Sequence, residues 1–440
     1  MPPYRATRPE PLPVKRFANF ALIACLSLAA AVAQAAPDVP GYRSRAASRS
    51  EADVRVSVAV LSAEESEAVY GVPLAAKSIQ PVWIEVENRG DRSYWLMSPG
   101  VDPNFFPPSE ASEAFATRDT AQAAAERERH FRDLGFRNPV LPGKTVSGFV
   151  LTNLHEGAKL VQIDLVASGR VRTFSLVAVV PGLRADYTQS GAIVDDPYPS
   201  EQIVNYTDDA AFRAALEALP CCVTNSDGTR NGDPLNLVVI GDGDDAFAAF
   251  VRRGWSTTEV TWLGSVIRMV NSALMGDRYP YAPVSDLYLF GRKQDIALQK
   301  ARDSIHQRNH LRAWKSPMRY RGKSVWVGQI SRDIGSRPTL HSPTLTTHKI
   351  DPDVDKAALA LVGDMVYSQN LHRFGFVAGV GRAPRDAPRE NLTTDPYYTR
   401  GVRAVLFFDH VPTPITAIEV LPWEAGADAL SNDVIGKPSP

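Results

Sequence analysis

The segment "VRVSVAVLS" (54–62) alternates apolar Val54, Val56, Val58 and Val60 with Arg55, Ser57 and Ala59. Side chains on a strand point alternately to opposite faces, so this segment buries one side only if it runs extended within a sheet. "PVWIEVEN" (81–88) repeats the pattern, with Glu85 and Glu87 on one face. "VSGFVLT" (146–152), "LVQIDLVA" (160–167) and "VRTFSLVAVV" (171–180) follow, separated by "RGDR" (89–92), "PGK" (142–144), "EGAK" (156–159) and "SGR" (168–170). Short alternating runs with frequent turns predict an antiparallel β-sandwich over residues 51–185. The stretch 108–135, rich in Ala, Glu and Arg and opening at Ser109–Glu110, breaks this rhythm and predicts a helix inserted at the sandwich edge.

Beyond residue 202 the rhythm changes. "DDAAFRAALEALP" (208–220) puts Phe212, Leu216 and Leu219 on one helical face, with Thr207 or Asp208 as cap. "LNLVVIG" (235–241) reads as a buried strand, and "DDAFAAFVRRGW" (244–255) as a helix stopped at Gly254. Strands are expected at 284–291, 324–331, 402–410 and 416–421. A helix is expected over 351–368, with Val354, Ala358, Leu361 and Met365 on one side. Strands alternating with helices predict a mixed α/β domain over 203–425. The whole is therefore an α+β chain of two domains. Residues 36–50 and 186–202, polar and proline-bearing, read as linkers, and 426–440 as a disordered tail.

The N-terminus reads separately. Lys15 and Arg16 precede the apolar run "FANFALIACLSLAAAVA", and Ala33-Gln34-Ala35 follows it. A basic region, an apolar core and a small-x-small site describe an export signal, here residues 1–35 with cleavage after Ala35. "LIAC" (22–25) admits a second reading, a lipoprotein box with lipidation at Cys25. The expected location is the periplasm or cell envelope, with membrane association only if Cys25 is lipidated or the signal stays uncleaved. Removing residues 1–35 takes away Arg5, Arg8, Lys15, Arg16 and Glu10, which moves the net charge from −1 to −4. Such a balance excludes a global basic field for nucleic acid. The mature chain keeps two adjacent cysteines, Cys221 and Cys222. A vicinal disulfide and two thiols are both open, and neither staples a fold.

The second half resembles the LssY C-terminal domain family. "LPCCVTNSDGTRNGDPLNLVVIGD" (219–242), "YAPVSDLYLFGRKQD" (281–295), "RNHLRAW" (308–314), "VWVGQISRD" (325–333) and "THKIDPDVD" (347–355) carry the resemblance. "GVPLAAKSIQPVWIEVEN" (71–88) looks like a companion domain of exported relatives. The resemblance implies no activity. Other members join the domain to membrane segments and to type-2 phosphatidic acid phosphatase domains. Here "SRDIGSRPTLH" (331–341) only approaches that phosphatase motif, with eight residues between Arg332 and His341 where five are needed. G-x-S-x-G, Walker and C-x-x-C motifs are absent from the sequence.

"RNHLRAW" with the preceding His306 holds the densest chemistry in the chain. As a strand, period 2 aligns His306, Arg308, His310 and Arg312 on one face with Trp314. As a helix, His306/His310 and Arg308/Arg312 form two i,i+4 pairs. The strand reading makes a cationic stripe in which Arg308, His310 and Arg312 match phosphate or carboxylate oxygens. The alternative is that these arginines pair with the domain's own acids, Asp295, Asp303 or Asp333. A metal reading draws on His306, His310, Asp333, His341, His348 and Asp351, whose spacing matches no local signature. Under a hydrolase reading, His306, His310, Asp333 and His348 are the candidate catalytic groups. In "THKIDPDVD", Asp351 or Asp353 is expected to cap the following helix. "GDGDD" (241–245) reads as a βα turn, with a divalent-cation site as the alternative. The leading expectation is a binding or accessory module for an anionic envelope ligand or an envelope protein partner. A metal-dependent phosphoester hydrolase and a purely structural accessory are the other readings, and no cofactor is assigned.

Overall fold

The structure, a computed structural model, describes residues 41–116, 120–181, 196–258, 285–301, 308–338 and 346–423. The expected signal segment with Cys25, the tail 426–440 and most of the 186–202 linker lie outside the described residues. The fold is mixed α/β and dominated by antiparallel pairing.

In the first half, β1 (Ala47–Glu51), β2 (Val54–Val60) and β3 (Ile79–Asn88) form a four-stranded antiparallel sheet with β5 (Thr145–Asn153), in the order β1-β2-β3-β5. The two-residue β4 (Trp95–Leu96) joins β6 (Ala158–Ala167) and β7 (Arg170–Val179) in a second sheet. Val54, Val56, Val58 and Val60 meet Ile163, Leu165, Phe174 and Leu176 in one apolar core between the sheets. Burying such a side chain contributes about 1.5–3 kcal/mol. The opposite face, with Ala59, Trp83, Phe149 and Leu151, lies under Tyr70 of α1 (Ala63–Tyr70) and Phe131. Strand β1 corrects the linker boundary, because residues 47–50 were read as linker. Arg49 and its neighbours have no alternating apolar signal; they are extended because β2 offers an edge.

The expected insertion helix is divided. After the one-turn α2 (Ser98–Val101), α3 (Pro108–Glu113) and α4 (Ala121–Leu134) replace a single 108–135 helix, and Thr120 caps α4. Helix α1 went unread, although Ser62-x-x-Glu65 forms a capping box and Gly71 closes the helix at φ 72°.

The second half is built on a ten-stranded sheet. Its strands include β8 (Val204–Tyr206), β11 (Leu237–Ile240), β12 (Ser256–Thr257), β15 (Ile296–Ala301), β16 (Arg308–Tyr320), β17 (Lys323–Pro338), β18 (Thr346–Ile350), β19 (Leu371–Val377), β22 (Arg403–Phe408) and β23 (Glu419–Val420). The path runs β12-β15-β16-β17-β11-β22-β19-β23, with β18 beside β17 and β8 beside β16. Among the described residues, only β11/β22, β16/β8 and β19/β23 are parallel. A smaller sheet joins β9 (Cys222–Thr224), β10 (Asn231–Pro234), β13 (Tyr288–Leu289) and β14 (Arg292–Lys293), and β20 (Arg389–Glu390) pairs with β21 (Pro396–Tyr397).

Both faces of the large sheet are covered. Leu237, Val239, Leu311 and Trp326 pack with Phe247 and Phe250 of α6 (Gly243–Arg252) and Leu361 and Met365 of α7 (Val354–Val366). Val238, Trp314, Val327 and Val405 pack on the other side with Phe212 and Leu216 of α5 (Asp209–Glu217) and with Leu289. Helix α6 also ties the two halves together. Arg252 donates to Gln162 Oε1 and Ser175 Oγ, and Arg49 pairs with Asp245 at 2.6 Å.

Candidate functional site

Residues 308–320 form one long strand, so the period-2 reading holds and the helical one falls. Leu311 and Ala313 face the α6/α7 core, whereas Trp314 faces the α5 core. Alternation then places Arg312, His310 and Arg308 on the Trp314 face. The flanking strands change character in register. Ala297 and Gln329 sit opposite Arg312, and Gln299 and Ser331 sit opposite His310. Gln329, Ser331 and Asp333 continue the face that Val325 and Val327 begin. One sheet surface thus passes from apolar to polar along its strands.

Every hydrogen-bond partner in this row is set by what its neighbours can offer. Arg312 Nη1 donates to Gln329 Oε1 at 3.2 Å, and Arg312 Nε donates to the Ser285 carbonyl at 2.9 Å. Guanidinium nitrogens only donate, so the Gln329 oxygen faces Arg312 and its amide nitrogen faces away. That nitrogen donates to Ser331 Oγ at 2.9 Å. Ser331 Oγ also lies 2.9 Å from His310 Nε2. Ser331 Oγ can accept from Gln329 and still donate its own proton to His310 Nε2, an arrangement in which the imidazole proton sits on Nδ1. Nδ1 faces Asp333 Oδ1 at 3.4 Å, an electrostatic contact longer and less aligned than a formed hydrogen bond. Asp333 Oδ2 accepts from Arg308 Nε at 3.1 Å, and Arg308 Nη1 donates to Gln299 Oε1. A chain of contacts therefore runs from Arg312 through Gln329, Ser331 and His310 to Asp333 and Arg308.

All of these groups are buried. Arg308 is 4%, His310 8% and Arg312 6% exposed, and Ser331 and Asp333 are 1% each. The row is not an exposed cationic clamp. Arg308 pairs with the domain's own Asp333, one of the acids expected to neutralise it. Asp295 instead serves Arg292 and the Lys315 amide, and Asp303 lies outside the described residues. Near the row, on β10, the carboxyl of Asp233 is pushed up by burial, against the opposing pull of Arg312 and His310. Asn391 Nδ2 reaches Asp233 Oδ1 at 3.4 Å.

The metal and hydrolase candidates separate. His310 and Asp333 come together. His306 and His341 lie outside the described residues. His348 sits on β18 opposite Ser336, and its side chain is outside the description. Asp351 Oδ1 accepts the Asp353 amide at 3.0 Å. Among the described residues, no three His, Cys, Asp or Glu groups gather in a way that would hold a metal ion. Asp353 takes the N-cap position of α7 without a side-chain cap bond, so the expected cap is positional only; Asp355 supplies the first-turn acid. In "GDGDD", Asp242 and Asp245 pair with Lys323, and Asp245 also pairs with Arg49, so these two acids of the βα turn already hold cations.

Sequence reasoning missed Ser331, Gln329, Gln299, Asp233 and Asn391. A readable signal existed for the first two: "VWVGQISRD" turns from Val325 and Val327 to Gln329, Ser331 and Asp333 at strict period 2. Cys221 and Cys222 are joined in a vicinal disulfide. Cys222 Sγ lies 3.9 Å from the Tyr397 hydroxyl.

Comparison with curated proteins finds no match. A family model does match: residues 214–402 correspond to the LssY C-terminus. That span carries β15, β16 and β17 with the whole polar row, so the part of the chain bearing the candidate site is the part similar to the LssY C-terminus.

Proposed function

We propose that this chain is an exported cell-envelope protein of two domains, a β-sandwich over 51–185 that supports docking and an α/β domain over 203–425 that binds an anionic group. The ligand chemistry is a phosphate, free or carried on a lipid head group, received by Arg308, His310 and Arg312. One observation carries the reading: two guanidinium groups and an imidazole stand at alternate positions of one strand, each oriented by a buried partner. Burial pushes the Asp233 carboxyl up toward its neutral form, which lessens the negative charge that an anion at the row would meet. Side chains oriented in advance lose little rotamer freedom on binding.

The test is thermal and chemical denaturation with inorganic phosphate, alongside co-sedimentation with phosphatidylglycerol and phosphatidylcholine vesicles. Free phosphate at a hundred times its dissociation constant stabilises by about 2.7 kcal/mol. A free-phosphate site responds to phosphate alone; a head-group site also sediments with the anionic vesicles and not the zwitterionic ones. Arg312→Gln, checked for fold by circular dichroism, loses the response. Wild-type protein indifferent to phosphate and to both vesicles overturns the reading. N-terminal sequencing of the exported form tests cleavage after Ala35 against lipidation at Cys25.

A further inference from the structure

We propose that the polar row is a nucleophilic catalytic site in which Ser331 attacks a carboxylic ester bearing an anionic group, with His310 as base and Asp333 as the group that orients it. The proposal rests on the reading above for its anionic substrate, but its own support is geometric. A serine hydroxyl becomes a nucleophile when an imidazole nitrogen takes its proton and a carboxylate faces the other ring nitrogen. Ser331 Oγ lies 2.9 Å from His310 Nε2, and His310 Nδ1 faces Asp333 Oδ1 at 3.4 Å. The Gln329 amide donates to Ser331 Oγ and leaves the hydroxyl proton available to His310 Nε2; the chemistry uses the tautomer with Nε2 bare toward the hydroxyl and Nδ1 protonated toward the carboxylate. Arg308 holds the other carboxylate oxygen and so fixes Asp333. The longer Nδ1 contact is of the kind that tightens when substrate binds.

The step balances without a further co-reactant except water. Ser331 Oγ bonds to the ester carbonyl carbon as its proton passes to His310 Nε2. The carbon–oxygen bond to the alcohol then breaks, and the departing alkoxide takes that proton. Water attacks the acyl-serine, gives a proton to His310, and the acid leaves as Ser331 recovers its hydrogen. His310 keeps a tenth of its side chain exposed while Asp333 keeps none, so the imidazole is the open side of the array. Ser331 itself is buried, so the acyl group must reach it from the His310 side.

The full chain is incubated with a fluorophosphonate probe and the labelled residue located by mass spectrometry. The nitrophenyl monoester of a dicarboxylic acid reports turnover. Label is expected on Ser331, absent in Ser331→Ala and slowed about a hundredfold or more in His310→Gln. The wild-type labelling rate falls at acid pH, and that fall is missing in His310→Gln. Wild-type protein that responds to phosphate yet takes no label at Ser331 overturns the catalytic proposal and leaves the binding reading standing. Failure of both responses overturns both. The wild-type labelling site decides the matter even if a variant does not fold.

Discussion

Replacing Asp333 with Asn tests the buried pair that anchors the row. The Asp333 side chain has no solvent exposure, the Arg308 side chain keeps 3%, and the two meet at 3.1 Å. At about 4 Å between charge centres and an effective dielectric of about 20, their attraction is about 4 kcal/mol. Removing one partner leaves a guanidinium in the interior without its counter-charge, and such losses run to about 3–5 kcal/mol. For a domain of this size, that lowers the melting temperature by about 6–20 °C. Urea denaturation followed by far-ultraviolet circular dichroism measures the cost directly. The double replacement Arg308→Met with Asp333→Leu removes both charges and is expected to recover most of the loss. The resulting double-mutant cycle should show a coupling of about 2–3 kcal/mol. The exposed Arg132–Glu128 pair, whose side chains are 64% and 43% exposed, serves as the control, and Glu128→Gln should cause no measurable change. A cost below about 1 kcal/mol for Asp333→Asn would refute the argument that Arg308 depends on this carboxylate. The chain of contacts through His310 would then lose its anchor.

Three further outcomes follow from other parts of the fold. Burial holds the Lys159 ammonium down at about 8, only partly offset by Asp102, while its Nζ donates to the Asn153 carbonyl at 2.6 Å. The folded value lies below the unfolded one, so the charge costs stability at neutral pH and the cost is relieved as pH rises from about 8 to about 10.5. Measured by urea denaturation, wild type should gain stability relative to Lys159→Met, on the order of 2–3 kcal/mol, between pH 7 and pH 10, and parallel pH profiles would contradict this. Fully buried Arg403 donates to the carbonyls of Leu216, Leu219, Pro220, Leu235, Ala378 and Gly379, clamping the end of α5 to two neighbouring segments. Arg403→Met should cost more than about 4 kcal/mol, and Arg403→Lys should not rescue it, because a point charge cannot span the same fork; a melting curve close to wild type for either variant would count against the clamp. A Cβ on Gly148 would lie 2.6 Å from Phe136 Cα, so Gly148→Ala must shift backbone and should lower the melting temperature by several degrees.

The legible parts of this chain were those with a local cause. Alternation at 54–60 and 160–167 predicted strands because which residues share a face depends only on the chain itself. Asp208 announced its helix because its side chain caps a backbone amide three residues on. The weakly patterned elements were not legible. Strand β1 and the pair β20–β21 are extended because a neighbour supplies hydrogen bonds, and Arg389 and Glu390 say nothing of that partner.

The candidate site divides in the same way. By itself the sequence placed Arg308, His310 and Arg312 on one face once a strand was granted, and it paired residues 214–402 with a family. Only the tertiary structure decided that the row is buried, that Ser331 stands opposite His310, that Asp333 answers Arg308, and that Cys221 and Cys222 are bonded. The reason is register. Antiparallel pairing brings residues 21 and 25 positions apart into contact, and the register is settled by the apolar faces packing around α5, α6 and α7, which no window along the chain contains.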